Sequence, residues 1–136
     1  MTATNFPSDN PDIRALKLRA TNLRRHMLGM ARGQGQGYIG QGLGVADLLA
    51  ALYFHELRYD PHDVSWPERD RFLLSTGHYS IALWAALAEA GIIPVEELST
   101  YGADGSRLEM STLDTTPGVE LIGEFLYRTA GKTLGI

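Results

Sequence analysis

One histidine of the sequence, His78, stands where ligand chemistry is expected. The run Arg71–Ser75 before it predicts a buried strand, and Ser80–Ala90 after it predicts a helix. Ligands bind outside the carboxyl ends of strands in open α/β sheets, and helix N-termini attract phosphate groups. An imidazole at this place can donate a hydrogen bond to a diphosphate or orient a substrate oxygen. The alternative is that His78 only caps the helix that follows it.

A second candidate is the segment Gly33–Gly44, in which six of twelve residues are glycine. Glycine at this density costs backbone entropy, so the segment predicts a loop with unusual dihedral angles. Its part Gly35–Gly40 matches the dinucleotide pattern G-x-G-x-x-G, but a long helix precedes it instead of a strand, which excludes that interpretation. Two hypotheses remain: backbone amides that line a pocket into which Tyr38 and Gln41 project, or a tight packing turn.

Other patterns in the sequence do not make sites. Gly131–Thr133 resembles the end of a phosphate-binding loop, but Leu126 stands where the required glycine should be. There are no cysteines, and His26, His55 and His62 have spacings that make no metal site. His26 is therefore predicted to be a structural or surface residue.

The elements that must position His78 are mainly helices. A long amphipathic helix is predicted from Asn10 to about Ala31, with an apolar stripe formed by Ile13, Leu16, Ala20, Leu23, Met27 and Met30. Val45–Phe54 predicts a helix buried on most sides, in which Asp47 either points to the pocket or caps its own helix. Gly91 is predicted to end the helix after His78, and Val95–Tyr101 to form another. The order helix, helix, strand, helix, helix predicts an α/β layer architecture.

Composition excludes several classes of protein. The chain has 136 residues, of which 44% are hydrophobic and 21% charged, so it has enough apolar residues for a packed core. Its net charge of −4 gives no basic surface for nucleic acid. Met1–Asn10 lacks the apolar run of a secretory signal, and no stretch has the roughly 18 apolar residues of a membrane span. A cytoplasmic protein without membrane contact is the expectation.

The run Trp66–His78, WPERDRFLLSTGH, closely resembles the W-x-x-R-D-R-F-[VL]-L-S-x-G-H signature of the transketolase family. Ala46–Phe54 resembles the helix that follows the glycine loop of that family. Shorter blocks follow in the family's order at Pro94–Leu98, Gly105–Leu108 and Thr116–Glu120. The resemblance implies an incomplete thiamine-diphosphate-binding fold of the α/β class, with a helix-rich N-terminal part and the start of a parallel sheet.

The resemblance also implies an activity and its site residues. Transketolases transfer two-carbon ketol units between sugar phosphates, using thiamine diphosphate with Mg²⁺. His78 matches the histidine that lies against the diphosphate and thiazolium of that cofactor. The other residues assigned by the resemblance are Gly77 and Gly123 for the cofactor, and Gly37, Tyr38, Gly40 and Gln41 for the substrate.

The chain departs from the family pattern at three places. Tyr38 replaces the histidine of a G-H-P-G motif, and a phenol with an unperturbed pKa of about 10 does not supply a proton near neutral pH as imidazole does. Glu109–Thr112 stands where the family has G-H-P. Leu121–Ala130 interrupts the match to a glycine-rich stretch that contacts the cofactor. The usual sugar specificity is therefore not expected to carry over unchanged.

The family's G-D-G metal motif has no match in this sequence. The expected organisation is a flexible lead (1–9), a partial transketolase domain (10–120) and a divergent tail (121–136). The chain alone is expected to be inactive and to need a C-terminal transketolase subunit or a second copy of itself. The alternatives are a non-catalytic truncated paralogue and a small-molecule binding module unrelated to thiamine.

Overall fold

The computed structural model describes residues 11–111, 118–119 and 121–122. The described α-helices are α1 (Pro11–Gln34), α2 (Ile39–Gly44), α3 (Ala46–Ala51) and α4 (Ser80–Glu89), and the described strands are β1 (Leu73–Leu74) and β2 (Leu121–Ile122). A π-helical turn, Leu52–Glu56, continues α3, and 3₁₀ turns span Gly77–Tyr79 and Val95–Thr100. The predicted boundaries at residues 9 and 120 stay predictions, because the outer segments lie largely outside the described residues.

Helix α4 is the centre of the core. All of its residues from Ser80 to Ala88 are buried, and a helix that is apolar on every side needs neighbours on every side. Helix α1 packs against both α3 and α4 and buries four members of the predicted stripe, Ala20, Leu23, Met27 and Met30. The opposite face of α1 is exposed at Arg14, Lys17, Arg25 and Arg32. The predicted amphipathic helix is therefore confirmed, and it continues one turn beyond Ala31.

The prediction of a loop throughout Gly33–Gly44 is wrong at both ends, because Gly33 and Gln34 belong to α1 and Ile39–Gly44 forms α2. Within this segment only Gly35 has a left-handed backbone, with φ of 77°. Unusual dihedral angles therefore do not explain why most of these positions are glycine. Two of them allow close packing instead, as the site geometry below shows.

The strand predicted at Arg71–Ser75 is shorter and less buried than expected. Exposure alternates along it: Leu73 is 60% exposed, whereas Phe72 and Leu74 are half-buried and pack against the core. Alternation with a period of two places one face of a strand on the core, and here no layer among the described residues covers the other face. The prediction of a buried strand is therefore wrong for the face that carries Leu73.

Strands β1 and β2 pair in parallel, Leu73 with Leu121 and Leu74 with Ile122. Pairing of two residues from each strand does not establish a sheet. The described part of the chain thus confirms the helix-rich character of the predicted fold, while its α/β class stays an expectation.

Helix α3 and its π-helical continuation confirm the helix predicted over Val45–Phe54 but not its burial on most sides. Only the stripe Ala46, Leu49, Ala50 and Tyr53 is buried. Asp47 is exposed, and Leu48 is 60% exposed. The helix lies at the edge of the core, because its neighbours α1 and α4 cover one side of it.

The end of α4 follows the sequence prediction closely. Gly91 has φ of 78°, and the Ile92 amide donates to the Leu87 carbonyl at 2.9 Å. This left-handed glycine cap is the one predicted. The helix predicted at Val95–Tyr101 is present as the 3₁₀ turn Val95–Thr100.

Among the described helices, none combines the length and the apolar character that crossing a membrane requires.

Candidate functional site

His78 lies in the 3₁₀ turn that leads directly into α4. The Tyr79 amide donates to the Thr76 carbonyl at 3.1 Å and holds this turn closed. Gly77 is buried, and the His78 side chain is half-buried. The imidazole therefore stands beside the N-terminus of a ten-residue helix, where the positive end of the helix dipole favours anions.

The His78 ring contacts Tyr38, with 5.3 Å between the ring centroids and a tilt of 45°. Tyr38 is the residue before α2, and its side chain is 45% exposed. The histidine predicted for the cofactor and the tyrosine predicted for the substrate thus lie side by side. We call these two residues, with the backbone of Gly37 and Gly77, the His78 site.

Neither ring of the His78 site makes a hydrogen bond within the described part of the chain. The hypothesis that His78 caps the following helix is not supported, because the N-cap of α4 is Tyr79. An imidazole with both nitrogens unused can donate or accept a hydrogen bond to a bound molecule.

Two glycines seat the glycine-rich segment beside His78. A Cβ added to Gly42 would lie 2.9 Å from Ile81 Cγ2 and 2.9 Å from Met27 Sδ. A Cβ added to Gly37 would lie 3.3 Å from both Ala31 Cβ and Ile81 Cδ1. The segment therefore lies directly on α1 and α4, in agreement with the packing hypothesis, and this contact brings Tyr38 to the His78 ring.

The other residues predicted to bind substrate, Gly40 and Gln41, are exposed. A Cβ added to Gly40 would meet no atom within 4 Å, so the packing of the chain does not require glycine there. The backbone at Gly40 is thus open to close approach by another molecule. No described contact joins Gln41 to His78 or Tyr38. Gly123 lies outside the described residues, and its role stays a prediction.

Sequence reasoning missed Tyr101, which follows the 3₁₀ turn Val95–Thr100. Its side chain is 2% exposed, and its hydroxyl has no hydrogen-bond partner in the described part of the chain. Burial raises the pKa of Tyr101, the neighbouring Tyr38 phenol raises it further, and the Ser80 hydroxyl lowers it. Ser80 acts on this pKa as a hydrogen-bonding neighbour, but the distance and angle between its hydroxyl and the phenol do not make a hydrogen bond. Its own hydroxyl is directed at the backbone carbonyl of Met110, at 2.7 Å.

The backbone around Tyr101 is tied to the elements of the His78 site. The Gln34 side-chain amide, at the end of α1, donates to the Gly102 carbonyl at 3.2 Å. The Trp84 indole, on α4, donates to the Glu109 carbonyl at 2.9 Å. The segment that carries Tyr101 therefore lies between the start of the glycine-rich segment and the first turns of α4. The segment before it, Val95–Thr100, is mostly polar, so nothing in the sequence marked Tyr101 as a site residue.

Two other polar residues singled out from the sequence have structural contacts. Asp47 accepts two hydrogen bonds from Arg24, at 2.7 and 3.3 Å, so it neither caps α3 nor reaches His78. The Arg24 hydrogen bond holds the pKa of Asp47 below its ordinary value, against the opposing effect of burial. His26 lies 2.9 Å from a carboxylate oxygen of Glu89, which agrees with its predicted structural role.

The geometry defines a class of site: two polar rings beside a helix N-terminus that make no hydrogen bond among the described residues, an arrangement that suits an oxygen-rich anionic ligand. The transketolase thiamine-diphosphate-binding domain matches residues 17–123, which is most of the chain. The chain therefore belongs to the transketolase family.

Several relatives support this membership. The chain is 56% identical over 123 residues to the transketolase family protein y4mO of Sinorhizobium fredii, covering 90% of this chain and 44% of that protein. It is 43% identical over 126 residues to the 6-deoxy-6-sulfo-D-fructose transketolase subunit SqwG of a Clostridium species, covering 89% and 46%. It is 38% identical over 108 residues to an apulose-4-phosphate transketolase subunit of Actinobacillus succinogenes, covering 78% and 39%. The chain thus spans less than half the length of these curated relatives.

The described residues fit one side of thiamine diphosphate. The His78 ring and the N-terminus of α4 suit its phosphate oxygens. In the same described residues, no group of three or more histidine, aspartate or glutamate side chains is placed to hold a metal ion. The fit of the described residues is therefore to the phosphate oxygens of the cofactor.

Proposed function

We propose that this chain is part of a transketolase-type enzyme that transfers two-carbon ketol units between sugar phosphates, with thiamine diphosphate and Mg²⁺. A partner chain completes the site. The observation that carries the proposal is the half-buried His78 ring, which has no hydrogen bond in the described structure and contacts Tyr38 at the N-terminus of α4. Support for a second chain comes from SqwG and the apulose-4-phosphate enzyme, both named as transketolase subunits.

In this proposal His78 holds the diphosphate end of the cofactor. Its ring donates a hydrogen bond to a phosphate oxygen, and the positive end of the α4 dipole attracts the phosphate charge. When bound, thiamine diphosphate supplies the electron sink for breaking a carbon–carbon bond of the ketose. The metal ligands and the group that activates the cofactor come from the partner or from residues outside the described part.

The substrate side of the site is formed by Tyr38, with Gly40 and Gln41 on α2. The phenol of Tyr38 donates a hydrogen bond to a sugar oxygen and fixes the sugar beside the cofactor, which is a positioning role. The open backbone at Gly40 lets the sugar phosphate approach closely. Because Tyr38 stands where the family pattern has a histidine, the preferred sugar differs from that of other members.

The test of cofactor binding is calorimetry with thiamine diphosphate and MgCl₂, on the chain alone and mixed with a C-terminal transketolase chain. Binding is expected to be weak for the chain alone and to strengthen in the mixture. His78→Ala is expected to weaken it about tenfold or more, the effect of losing a hydrogen bond to a charged group. The matched control His62→Ala changes an exposed histidine and leaves binding unaltered.

The test of activity is two-carbon transfer from a ketose phosphate to an aldose phosphate by the mixed chains. Transfer that needs both chains supports the proposal. Cofactor binding without transfer in the mixture would instead identify a non-catalytic paralogue. If neither the chain nor the mixture bound the cofactor, the proposal would be wrong and a binding module unrelated to thiamine would remain.

A further inference from the structure

We propose that Tyr101 is a substrate-contacting residue of the His78 site, whose hydroxyl donates a hydrogen bond to an oxygen of the bound sugar phosphate. This inference rests on the proposed function and deepens it. No match between the sequence and the family motifs pointed to Tyr101.

The first argument is the unpaired hydroxyl. Tyr101 is 2% exposed, and its hydroxyl oxygen has no hydrogen-bond partner in the described part of the chain. A buried donor without a partner is unfavourable, and such groups are uncommon in folded proteins. Phenylalanine would fill the same space without that penalty. A tyrosine here is therefore explained by a partner that arrives with a ligand.

The second argument is position. Gln34 donates to the carbonyl of Gly102, next to Tyr101, and so joins this residue to the end of α1 where the glycine-rich segment begins. On the other side, Ser80 donates to the carbonyl of Met110 from the first residue of α4. Tyr101 thus lies between the two elements that carry the rings of the His78 site.

The third argument is the pair of phenols. Tyr38 acts electrostatically on Tyr101, and the Tyr38 ring is 5.3 Å from His78. Burial raises the pKa of Tyr101, so its phenol stays protonated and is a hydrogen-bond donor near neutral pH. Sugar hydroxyl and phosphate oxygens are the matching acceptors. Because Tyr101 neighbours Tyr38, its ligand lies on the substrate side of the site.

Entry of the ligand requires a movement. The Tyr101 hydroxyl is closed to solvent, whereas its neighbour Tyr38 is 45% exposed and follows a short glycine-rich turn. The Tyr38 ring therefore shifts when the sugar phosphate binds and opens the path to the Tyr101 hydroxyl. The Tyr38 ring thus shields the site from solvent, and the Tyr101 hydroxyl is the hydrogen-bond donor behind it.

The first experiment needs no ligand and compares thermal unfolding of the full chain with two variants. Tyr101→Phe is expected to raise Tm, because it removes a buried hydroxyl that has no partner. The matched control is Tyr59→Phe, whose hydroxyl donates to the Tyr53 carbonyl at 2.8 Å, and it is expected to lower Tm. A Tm for Tyr101→Phe below that of the unsubstituted chain would show that the hydroxyl already has a partner, and would overturn the inference.

The second experiment is NMR titration of ring-labelled tyrosines with D-ribose 5-phosphate and, separately, thiamine diphosphate, on the chain alone and with a C-terminal transketolase chain. Ribose 5-phosphate is expected to shift the signals of Tyr101 and Tyr38 together. Tyr101→Phe is expected to raise the Kd for ribose 5-phosphate about 5- to 10-fold, as expected for one lost hydrogen bond, and to leave the Kd for thiamine diphosphate within about twofold. The control Tyr59→Phe is expected to leave both Kd values unchanged.

The outcomes separate this inference from the proposed function. Equal ribose 5-phosphate affinity in Tyr101→Phe, or no shift at Tyr101, overturns the inference while thiamine diphosphate binding still supports the proposed function. A larger effect on thiamine diphosphate than on the sugar phosphate overturns the assignment to the substrate side. If neither compound shifts any signal, the inference and the proposed function both fail.

Discussion

Two histidines lie near opposite ends of α4, and their surroundings differ. His26, on α1, lies 2.9 Å from a carboxylate oxygen of Glu89, the last residue of α4, and Arg19 and Asn22 donate to the other oxygen of this carboxylate at 2.9 Å each. His78, before the first residue of α4, contacts an aromatic ring and has no hydrogen bond among the described residues. The His26 imidazole is part of a hydrogen-bond network around Glu89, whereas the nitrogens of the His78 imidazole have no partner among the described residues.

The comparison contrasts a histidine inside a hydrogen-bond network with one that makes no hydrogen bond among the described residues. Burial alone would raise the pKa of Glu89, but the hydrogen bonds from Asn22, His26 and Arg19 outweigh it and hold that pKa below its ordinary value. The network at this end thus stabilises the ionised carboxylate in the folded state. At the other end, the groups that would satisfy His78 and Tyr101 have to come from outside the described chain.

The largest effect is expected from a substitution that breaks the hydrogen-bond network around Glu89. Glu89→Ala leaves three donors without their acceptor, and we expect it to lower the free energy of unfolding by about 2–3 kcal/mol. Urea denaturation followed by circular dichroism measures this change. The control Glu68→Ala alters an exposed carboxylate and should stay within about 0.5 kcal/mol of the unsubstituted chain. A similar loss in both variants would contradict the assignment of stability to the network.

The same network predicts a dependence on pH. Because the folded state lowers the pKa of Glu89, its contribution is complete above the ordinary glutamate pKa of about 4.3 and is lost as the pH falls through the lower pKa of the folded state. The stability difference between the unsubstituted chain and Glu89→Gln should therefore narrow below about pH 4.3. Unfolding curves between pH 3 and pH 7 test this, and a difference that widens with acid would show the opposite sign.

An intermediate effect is expected at the glycines that seat Tyr38 beside His78. Gly42→Ala places a Cβ 2.9 Å from Ile81 Cγ2 and Met27 Sδ, and we expect it to lower the free energy of unfolding by about 1–2 kcal/mol through overpacking. Gly40→Ala meets no atom within 4 Å and is expected to leave stability unchanged or raise it by up to about 1 kcal/mol. Urea denaturation of both variants checks this, and an equal loss of stability in both would contradict the assignment of the Gly42 effect to packing.

The smallest stability effects sharpen the contrast between the two histidines. His26→Gln is expected to lower the free energy of unfolding by about 1 kcal/mol, because it disturbs the bond to Glu89. His78→Gln is expected to change it by less than about 0.5 kcal/mol while weakening thiamine diphosphate binding. Urea denaturation and calorimetry on the same samples separate the two properties. The comparison would fail if His78→Gln destabilised the fold more than His26→Gln.

Residues that follow local rules could be predicted from the sequence. The stripe on α1 and the cap at Gly91 depend on periodicity and on backbone conformation, which neighbouring residues determine. His78 was identified because a strand-like run and a helix-like run flank it. The structure places it beside Tyr38, and this contact follows from the packing of the glycine-rich segment on α1 and α4.

Features that depend on distant contacts could not be predicted in the same way. The glycines after Gly35 suggested a loop, but the closeness of Ile81 and Met27 explains the glycine at position 42. The exposure of Leu73 depends on which layers cover the strand, and a short run of apolar residues does not contain that information. Tyr101 was missed for the same reason, since an unpaired hydroxyl is recognised only when its surroundings are known.

The hydrogen bond from the Trp84 indole to the Glu109 carbonyl makes Trp84 fluorescence sensitive to the segment that contains Glu109. The Trp84 indole is completely buried on α4, and its only donor is held by the segment that also carries Tyr101. The second tryptophan, Trp66, is half-buried in the loop before β1. Any rearrangement of the segment around a bound sugar phosphate therefore alters the environment of one emitting indole, and quenching by iodide would separate its signal from that of Trp66. Binding of the sugar phosphate could then be followed by the emission spectrum of Trp84, without any added label.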